Sequence, residues 1–116
     1  MYLWYARKSK AINLSSNVYK ASVYSYTQKL THTIVVNKEF ISADDCVLIV
    51  DDFLAYGNAL RGMIDLARQA NATIVGAAIA IEKGYQGGGE KIRDNGVRVD
   101  SLAVIKSMDD GVIVFE

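Results

Sequence analysis

Two adjacent acids, Asp51 and Asp52, directly follow the aliphatic run CVLIV. A few residues later, a segment with helical spacing opens among the small residues Ala55, Gly57 and Ala59. The first amides of a helix lack intrahelical partners and lie at the positive end of its dipole, so a phosphate can bind them directly. Carboxylates beside that point accept hydrogen bonds from hydroxyls or bind a metal ion. The combination favours a ligand that carries both a phosphate and sugar hydroxyls, such as a ribose phosphate.

The same two acids also have a plain structural interpretation. Acidic residues are common where strands end in α/β proteins, and Asp51 and Asp52 would then only end a strand and close a turn. Spacing alone does not separate this interpretation from a binding site.

The elements around the acids predict an α/β fold with a mostly parallel sheet. Residues 46–50 and 73–81 are continuous aliphatic runs, typical of parallel strands buried on both faces. Residues 57–70 repeat apolar side chains at helical spacing, which completes a strand–helix–strand unit. Further strands are predicted as a pair around a polar turn within 18–36, and at 97–105 and 112–115.

Other local patterns carry smaller predictions. The aromatic stretch at 2–6 predicts a strand, with Trp4 in the core. Cys46, next to an aliphatic run, is expected to be a small core residue. The glycine-rich stretch 82–91 predicts a mobile loop, followed by a short helix that ends at Gly96.

Composition limits the class of protein. The chain has 116 residues, enough for one domain over residues 1–116, and its 13 basic residues balance 13 acidic ones. A balanced charge offers no global attraction to nucleic acid or membranes, and we expect neither as a partner. The single cysteine excludes a disulfide within the chain and favours a reducing, cytoplasmic setting. No apolar run is long enough for a membrane-spanning helix.

The segment VLIVDDFLAYGNAL resembles the signature of the type I phosphoribosyltransferases. With IEKGYQ downstream and ARKSK and ASVYSYT upstream, nearly the whole chain is similar to the bacterial xanthine phosphoribosyltransferases. The resemblance implies a Rossmann-like domain with a flexible β hood, and homodimers. It implies transfer of the ribosyl phosphate of phosphoribosyl diphosphate to N9 of xanthine, with Mg²⁺ bound through the diphosphate.

The resemblance also assigns roles to residues. Asp51 and Asp52 would face the ribose hydroxyls and stabilise the positive charge that develops as diphosphate leaves. Lys83 would donate to the exocyclic oxygen of the purine and so select oxopurines over adenine. Without the family pattern, Lys83 would be an ordinary solvated lysine. The loop that would hold the 5′-phosphate consists of Ala55, Tyr56, Gly57, Asn58 and Ala59.

The chain departs from the family pattern in several places. Tyr56 is bulky where a small polar residue is usual, and Asn58 replaces a glutamine. The family's Ser-Ser-Gly loop for the diphosphate has no good counterpart, because Ser15–Ser16 lies outside a strand-to-helix turn. We therefore expect the chain to correspond to the C-terminal part of such an enzyme. The basic segment expected near the diphosphate contains Arg7, Lys8 and Lys10, and the hood would contain residues 21–27.

A second hypothesis is a non-catalytic domain that senses phosphoribosyl diphosphate, as in purine-operon repressors. An enzyme needs a cation such as Lys83 to read the base, whereas a sensor does not. A third, weaker hypothesis is a structural remnant that assembles only with itself or a partner chain.

Overall fold

The computed structural model describes residues 3–9 and 17–116. The strands are β1 (Arg7–Ser9), β2 (Val18–Ser25), β3 (Leu30–Asn37), β4 (Cys46–Leu54), β5 (Thr73–Lys83), β6 (Val99–Asp109) and β7 (Val112–Phe115). The helices are α1 (Asn58–Gln69) and α2 (Gly88–Asp94), and a 3₁₀ turn covers Gly84–Gln86.

The main sheet has four strands in the order β4-β5-β6-β7. The first three are parallel, and β7 pairs antiparallel with β6 through the tight turn at Asp110 and Gly111. This arrangement confirms the predicted α/β fold with a mostly parallel sheet. The strand–helix–strand unit lies where the aliphatic runs predicted it.

Strands β1, β2 and β3 form a separate antiparallel sheet, the hood. The predicted pair of strands within 18–36 is confirmed, with its turn between β2 and β3. The hood packs on α1 through a cluster of Ala21, Ile34 and Leu66, and Gln69 Nε2 donates to the Lys20 carbonyl at 2.6 Å. Helix α1 therefore has two apolar faces, one on the main sheet and one under the hood.

Helices α1 and α2 cover one face of the main sheet. The predicted apolar face of α1 is confirmed, since Leu60, Ile64 and Ala67 are buried. Burial of these side chains is the main stabilising contribution at this face, at about 25 cal/mol per Å² of apolar surface. The core cluster under the helices contains Ile49, Leu54, Leu60, Ile64, Ala77, Ile79, Ile92, Val97 and Val99.

The opposite face of the main sheet is uncovered by the described residues, so the prediction of strands buried on both faces was wrong. Leu48, Val50 and Leu102 are 57%, 63% and 91% exposed. Cys46 lies on the same face of β4 as Leu48 and Val50 and is exposed like them, so its predicted core position was wrong. An aliphatic run reports the composition of a strand, whereas burial depends on whether another element packs against it.

This uncovered face makes a simple mutational prediction. Leu102→Lys is expected to change the free energy of unfolding by no more than about 0.5 kcal/mol, because the exposed leucine makes few apolar contacts that the substitution could remove. Ile105→Ala, at a buried site on the same strand, should cost about 2–5 kcal/mol. Urea denaturation of both variants measures the contrast. An equally large loss from Leu102→Lys would mean that the face is covered.

The N-terminal prediction also needs correction. Residues 3–6 are not a strand, and β1 begins only at Arg7, where the backbone pairs with Val35 of β3. Trp4 is 47% exposed and stacks on Phe40, with ring centroids 4.2 Å apart, instead of entering the core. Backbone pairing, not aromatic content, decides where this strand starts. Tyr2, Lys10 and Ser15–Ser16 lie outside the described residues.

The stretch 82–91 is not a loop. It contains the end of β5, the 3₁₀ turn and the start of α2 at Gly88. The predicted short helix is confirmed and begins two residues earlier than expected, and Gly96 follows its end with φ +90°. Gly84, Gly88 and Gly89 serve close packing here, whereas Gly87 supplies a left-handed turn with φ +79°.

Candidate functional site

The link between β4 and α1 leaves the start of the helix open. Gly57 precedes α1 with φ +88°, a left-handed conformation that glycine adopts without strain. No side chain caps the helix, and its first turn contains no acid. The first intrahelical bond comes from Arg61 N to Gly57 O at 2.8 Å, so the preceding amides have no partner within the helix. These N–H groups and the helix dipole suit an anion.

A cavity of about 290 Å³ opens beside this loop. It brings the whole predicted phosphate loop together with Lys83, although the two segments are far apart in sequence. Hood residues close another side. The cavity is lined by Tyr24, Tyr26, Thr27, Phe53, Leu54, Ala55, Tyr56, Gly57, Asn58, Ala59, Leu60, Lys83 and Gln86.

The acidic pair lies apart from that cavity. Asp51 and Asp52 belong to the last part of β4, and neither lines the cavity. Each carboxylate accepts the amide N–H of the next residue, Asp52 N at 2.9 Å and Phe53 N at 2.8 Å. Burial raises the pKa of Asp51 above its ordinary value, and the adjacent Asp52 carboxyl adds to the increase. A positive charge or a hydroxyl donor nearby would relieve this crowding of carboxylates.

Tyr56 contacts the hood. Its ring lies 4.6 Å from the ring of Tyr26, which in turn meets Tyr24 edge-on at 4.9 Å. Tyr56 is 43% exposed and forms part of the cavity wall. The bulky residue in the phosphate loop is therefore accommodated by an aromatic contact with the tip of the hood.

Asn58 uses its side chain to hold the hood. Its Nδ2 donates to the Tyr24 carbonyl at 3.1 Å, and its Oδ1 accepts from Arg61 Nη2 at 2.5 Å. These two contacts fix the Asn58 side chain between the hood and Arg61, while its backbone amide lies at the open start of the helix. The basic hood residues Arg7 and Lys8 are exposed on β1 and do not line the cavity.

Lys83 is the last residue of β5 and, among the described residues, the only lysine or arginine that lines the cavity. Within the described parts of the chain, no carboxylate forms a salt bridge with it. Its ammonium group is therefore uncommitted and can donate to a ligand oxygen.

The residue before Lys83 is the buried charge that sequence reasoning missed. Glu82 is 3% exposed, and Arg93 of α2 donates to both of its carboxylate oxygens, at 2.9 and 2.7 Å. Ser101 of β6 donates to Oε1 at 2.7 Å. The bonds from Arg93, with help from Ser101, hold the pKa of Glu82 below its ordinary value. A single acid at the end of the aliphatic stretch AIAIE was the available signal.

Helix α2 begins against the phosphate loop. Gly88 N donates to Ala55 O at 3.1 Å. A Cβ atom on Gly88 would lie 2.3 Å from Ala55 O and 2.4 Å from Tyr56 C, so only glycine fits. Beside it, Gln86 lines the cavity, and its Oε1 is buried without a hydrogen-bond partner in the described structure. Sequence reasoning treated these glycines as a loop and assigned Gln86 no role.

Metal and membrane features are limited in the described part of the chain. Residues 3–9 and 17–116 contain no group of three His, Cys, Asp or Glu side chains arranged to hold a metal ion. Neither described helix is long and apolar enough to cross a membrane.

Comparisons with known proteins agree with this geometry. The xanthine phosphoribosyltransferases of Oceanobacillus iheyensis and Ligilactobacillus salivarius are 49% and 50% identical to the chain over 97% of its length. The chain spans 58% of the length of each. The crystal structure of adenine phosphoribosyltransferase from Rhodothermus marinus superposes with a TM-score of 0.71 at 27% identity, over 86% of this chain and 54% of that one.

A family-level match covers nearly all of the described sequence. The phosphoribosyl transferase domain matches residues 7–115, which includes the hood, the phosphate loop and Lys83. The fold, with its mostly parallel sheet, agrees with this match and with the structural similarity to a phosphoribosyltransferase. The chain therefore belongs to the phosphoribosyl transferase domain family.

Proposed function

We propose that the protein acts in purine salvage and transfers the 5-phosphoribosyl group from phosphoribosyl diphosphate to N9 of xanthine. The observation that carries the proposal is the shared cavity, into which both the uncapped start of α1 and the uncommitted Lys83 open. An anion site and a purine-oxygen donor in one cavity fit a nucleotide product. Similarity to two xanthine phosphoribosyltransferases supports the same substrate.

In this proposal the 5′-phosphate binds the amides at Gly57–Ala59, and the sugar lies toward Asp51 and Asp52. The bond from C1 of ribose to diphosphate breaks, and diphosphate leaves with the electron pair of that bond. The bond from C1 to N9 forms with the N9 lone pair, and the imidazole-ring proton of xanthine passes to solvent. Positive charge accumulates on the sugar because the first bond is largely broken before the second is complete. Carboxylates fixed by backbone hydrogen bonds stabilise that charge without reorganising.

Lys83 supports an oxopurine rather than adenine as the acceptor. An ammonium group donates to the exocyclic oxygen of xanthine, whereas the exocyclic amino group of adenine is itself a donor. The structural relative from Rhodothermus marinus is named for adenine, but its identity to this chain is only 27%. The closer sequence similarity and the lysine both favour xanthine.

The remaining parts of the proposal concern cofactor, assembly and setting. Mg²⁺ would arrive bridged to the diphosphate, which is consistent with a site built from two carboxylates rather than a protein cage. The protein would be a cytoplasmic homodimer. The sensor hypothesis is not favoured, because a sensor does not need Lys83 in the cavity.

Titration with phosphoribosyl diphosphate and Mg²⁺ tests the proposal. Compared with the natural chain, Asp51→Asn/Asp52→Asn is expected to bind roughly 10- to 100-fold more weakly, because two charged acceptors are lost. The circular dichroism spectrum should be unchanged. Isothermal titration calorimetry measures the affinity.

Asp109→Asn/Asp110→Asn is the matched control, since it neutralises the adjacent acid pair in the β6–β7 turn. It should bind as the natural chain does. Equal affinity in all three proteins would mean that Asp51 and Asp52 only end a strand.

A further inference from the structure

We infer that Glu82, Arg93 and Ser101 form a positioning network for Lys83. The network places the strand end that carries Lys83 and keeps its ammonium group available to the purine. None of its three members lines the cavity, so they act through Lys83 and not on the ligand. The inference rests on the proposed function only for the identity of the ligand.

The first argument is geometric. Arg93 bridges three parts of the fold, because its guanidinium donates to Glu82 of β5 and to the Val99 carbonyl of β6 while its backbone lies in α2. A planar guanidinium that binds two carboxylate oxygens fixes orientation as well as distance. The residue immediately after this clamped carboxylate is Lys83. Its backbone position is therefore fixed to α2 and β6.

The second argument is electrostatic. Glu82 is the only buried charged residue in the described structure, and an unpaired carboxylate there would lie one residue from Lys83. Arg93 and Ser101 together donate three hydrogen bonds to it. With its charge compensated, Glu82 does not compete with the ligand for the Lys83 ammonium group. Lys83 has no ion-pair partner among the described residues.

The third argument is packing. A Cβ atom on Gly89 would lie 2.2 Å from Glu82 Oε2, so α2 starts directly on the carboxylate. The preceding residue, Gly88, lies against the phosphate loop. The network thus joins the lysine to the phosphate loop through one short rigid segment. A nucleotide must reach the phosphate loop and Lys83 at the same time, so the separation between these two groups affects its binding.

The test compares Arg93→Met, Arg93→Met/Glu82→Gln and the natural chain in two measurements. The first is acylation of lysines by an activated ester under mildly alkaline conditions, followed by mass spectrometry. In Arg93→Met, the Glu82 carboxylate loses its guanidinium partner and can pair with the neighbouring Lys83 side chain, which should slow the acylation of Lys83 by about threefold. Lys91 and Lys106 should react as before. The double variant, which removes the carboxylate charge, should restore the rate at Lys83.

The second measurement is the affinity for xanthine and, separately, for ribose 5-phosphate. Arg93→Met should lower the xanthine affinity about tenfold and change the ribose 5-phosphate affinity by less than about twofold. A merely structural ion pair would weaken both or neither. Arg98→Met is the control, because it breaks the exposed ion pair with Asp100 and leaves Lys83 alone.

Unchanged acylation of Lys83 in a folded Arg93→Met variant overturns the inference. If that variant does not fold, Arg93→Lys keeps a charge but loses the paired contact, and both effects should persist at smaller size. Equal weakening of xanthine and ribose 5-phosphate in Arg93→Lys also overturns it. If no protein binds xanthine but acylation follows the stated pattern, the network stands and the proposed function fails.

Discussion

Replacing Gly88 by alanine is expected to abolish measurable ribose 5-phosphate binding and to destabilise the fold by about 3 kcal/mol. The added Cβ would meet backbone atoms of Ala55, Tyr56 and Gly57 at 2.3, 2.4 and 2.7 Å. Backbone cannot rotate away as a side-chain tip can, so either α2 or the phosphate loop must move. Such a cost lowers the melting temperature by roughly 10 °C. Thermal unfolding and calorimetric titration measure the two effects.

Gly87→Ala is the matched control for this variant. Gly87 has φ +79°, and a Cβ there meets nothing within 4 Å. The control should cost only about 1–2 kcal/mol, the strain of alanine in a left-handed conformation, and should retain ligand binding. If Gly88→Ala bound ribose 5-phosphate like the control, the contact between α2 and the phosphate loop would have no functional role.

The second large effect is expected at Lys83. Lys83→Met keeps the length and the apolar stem of the side chain but removes the charged donor. A hydrogen bond from a charged group contributes about 1.5–3 kcal/mol, so the affinity for xanthine should fall by roughly 100-fold. In the proposed arrangement, ribose 5-phosphate contacts the other end of the cavity, so its affinity should be retained. Competition binding with the two ligands measures this separation.

Lys91→Met is the control for charge, because Lys91 is an exposed lysine of α2 in the same region of the chain. It should bind both ligands normally. A selective loss at Lys83 would support base recognition. Loss of both ligands, or of neither, would contradict the role of Lys83 as the donor to the purine oxygen.

The hood illustrates a feature that was only partly predictable. Enrichment in Val, Tyr and Thr predicted two strands within 18–36, and β2 and β3 lie there, with β3 ending one residue later at Asn37. The contact of Tyr26 with Tyr56 joins residues that are 30 positions apart and depends on how the hood sits on α1. Gly62 permits that approach, since a Cβ there would lie 2.5 Å from Val23 Cγ2. No local pattern reports such a contact.

The sequence by itself determined the fold class, the parallel strands around α1 and the candidate phosphate loop. These depend on local signals, namely aliphatic runs, helical periodicity and small residues at a helix start, which act within a few residues of chain. The resemblance added Lys83, which chemistry alone would have left as a solvated lysine. The structure brings Lys83 and the loop to one cavity.

Only the tertiary structure decided which sheet face is buried, where the acid pair lies relative to the cavity, and which residue pairs with Glu82. It left the second sheet face bare of described residues, where aliphatic runs predicted cover, because burial requires a second element and not only apolar side chains. It placed Asp51 and Asp52 outside the cavity wall, because the cavity meets β4 only at its last two residues, Phe53 and Leu54. It also paired Glu82 with Arg93, since a carboxylate enclosed by packing requires a cation. Each of these outcomes depends on contacts between segments distant in sequence.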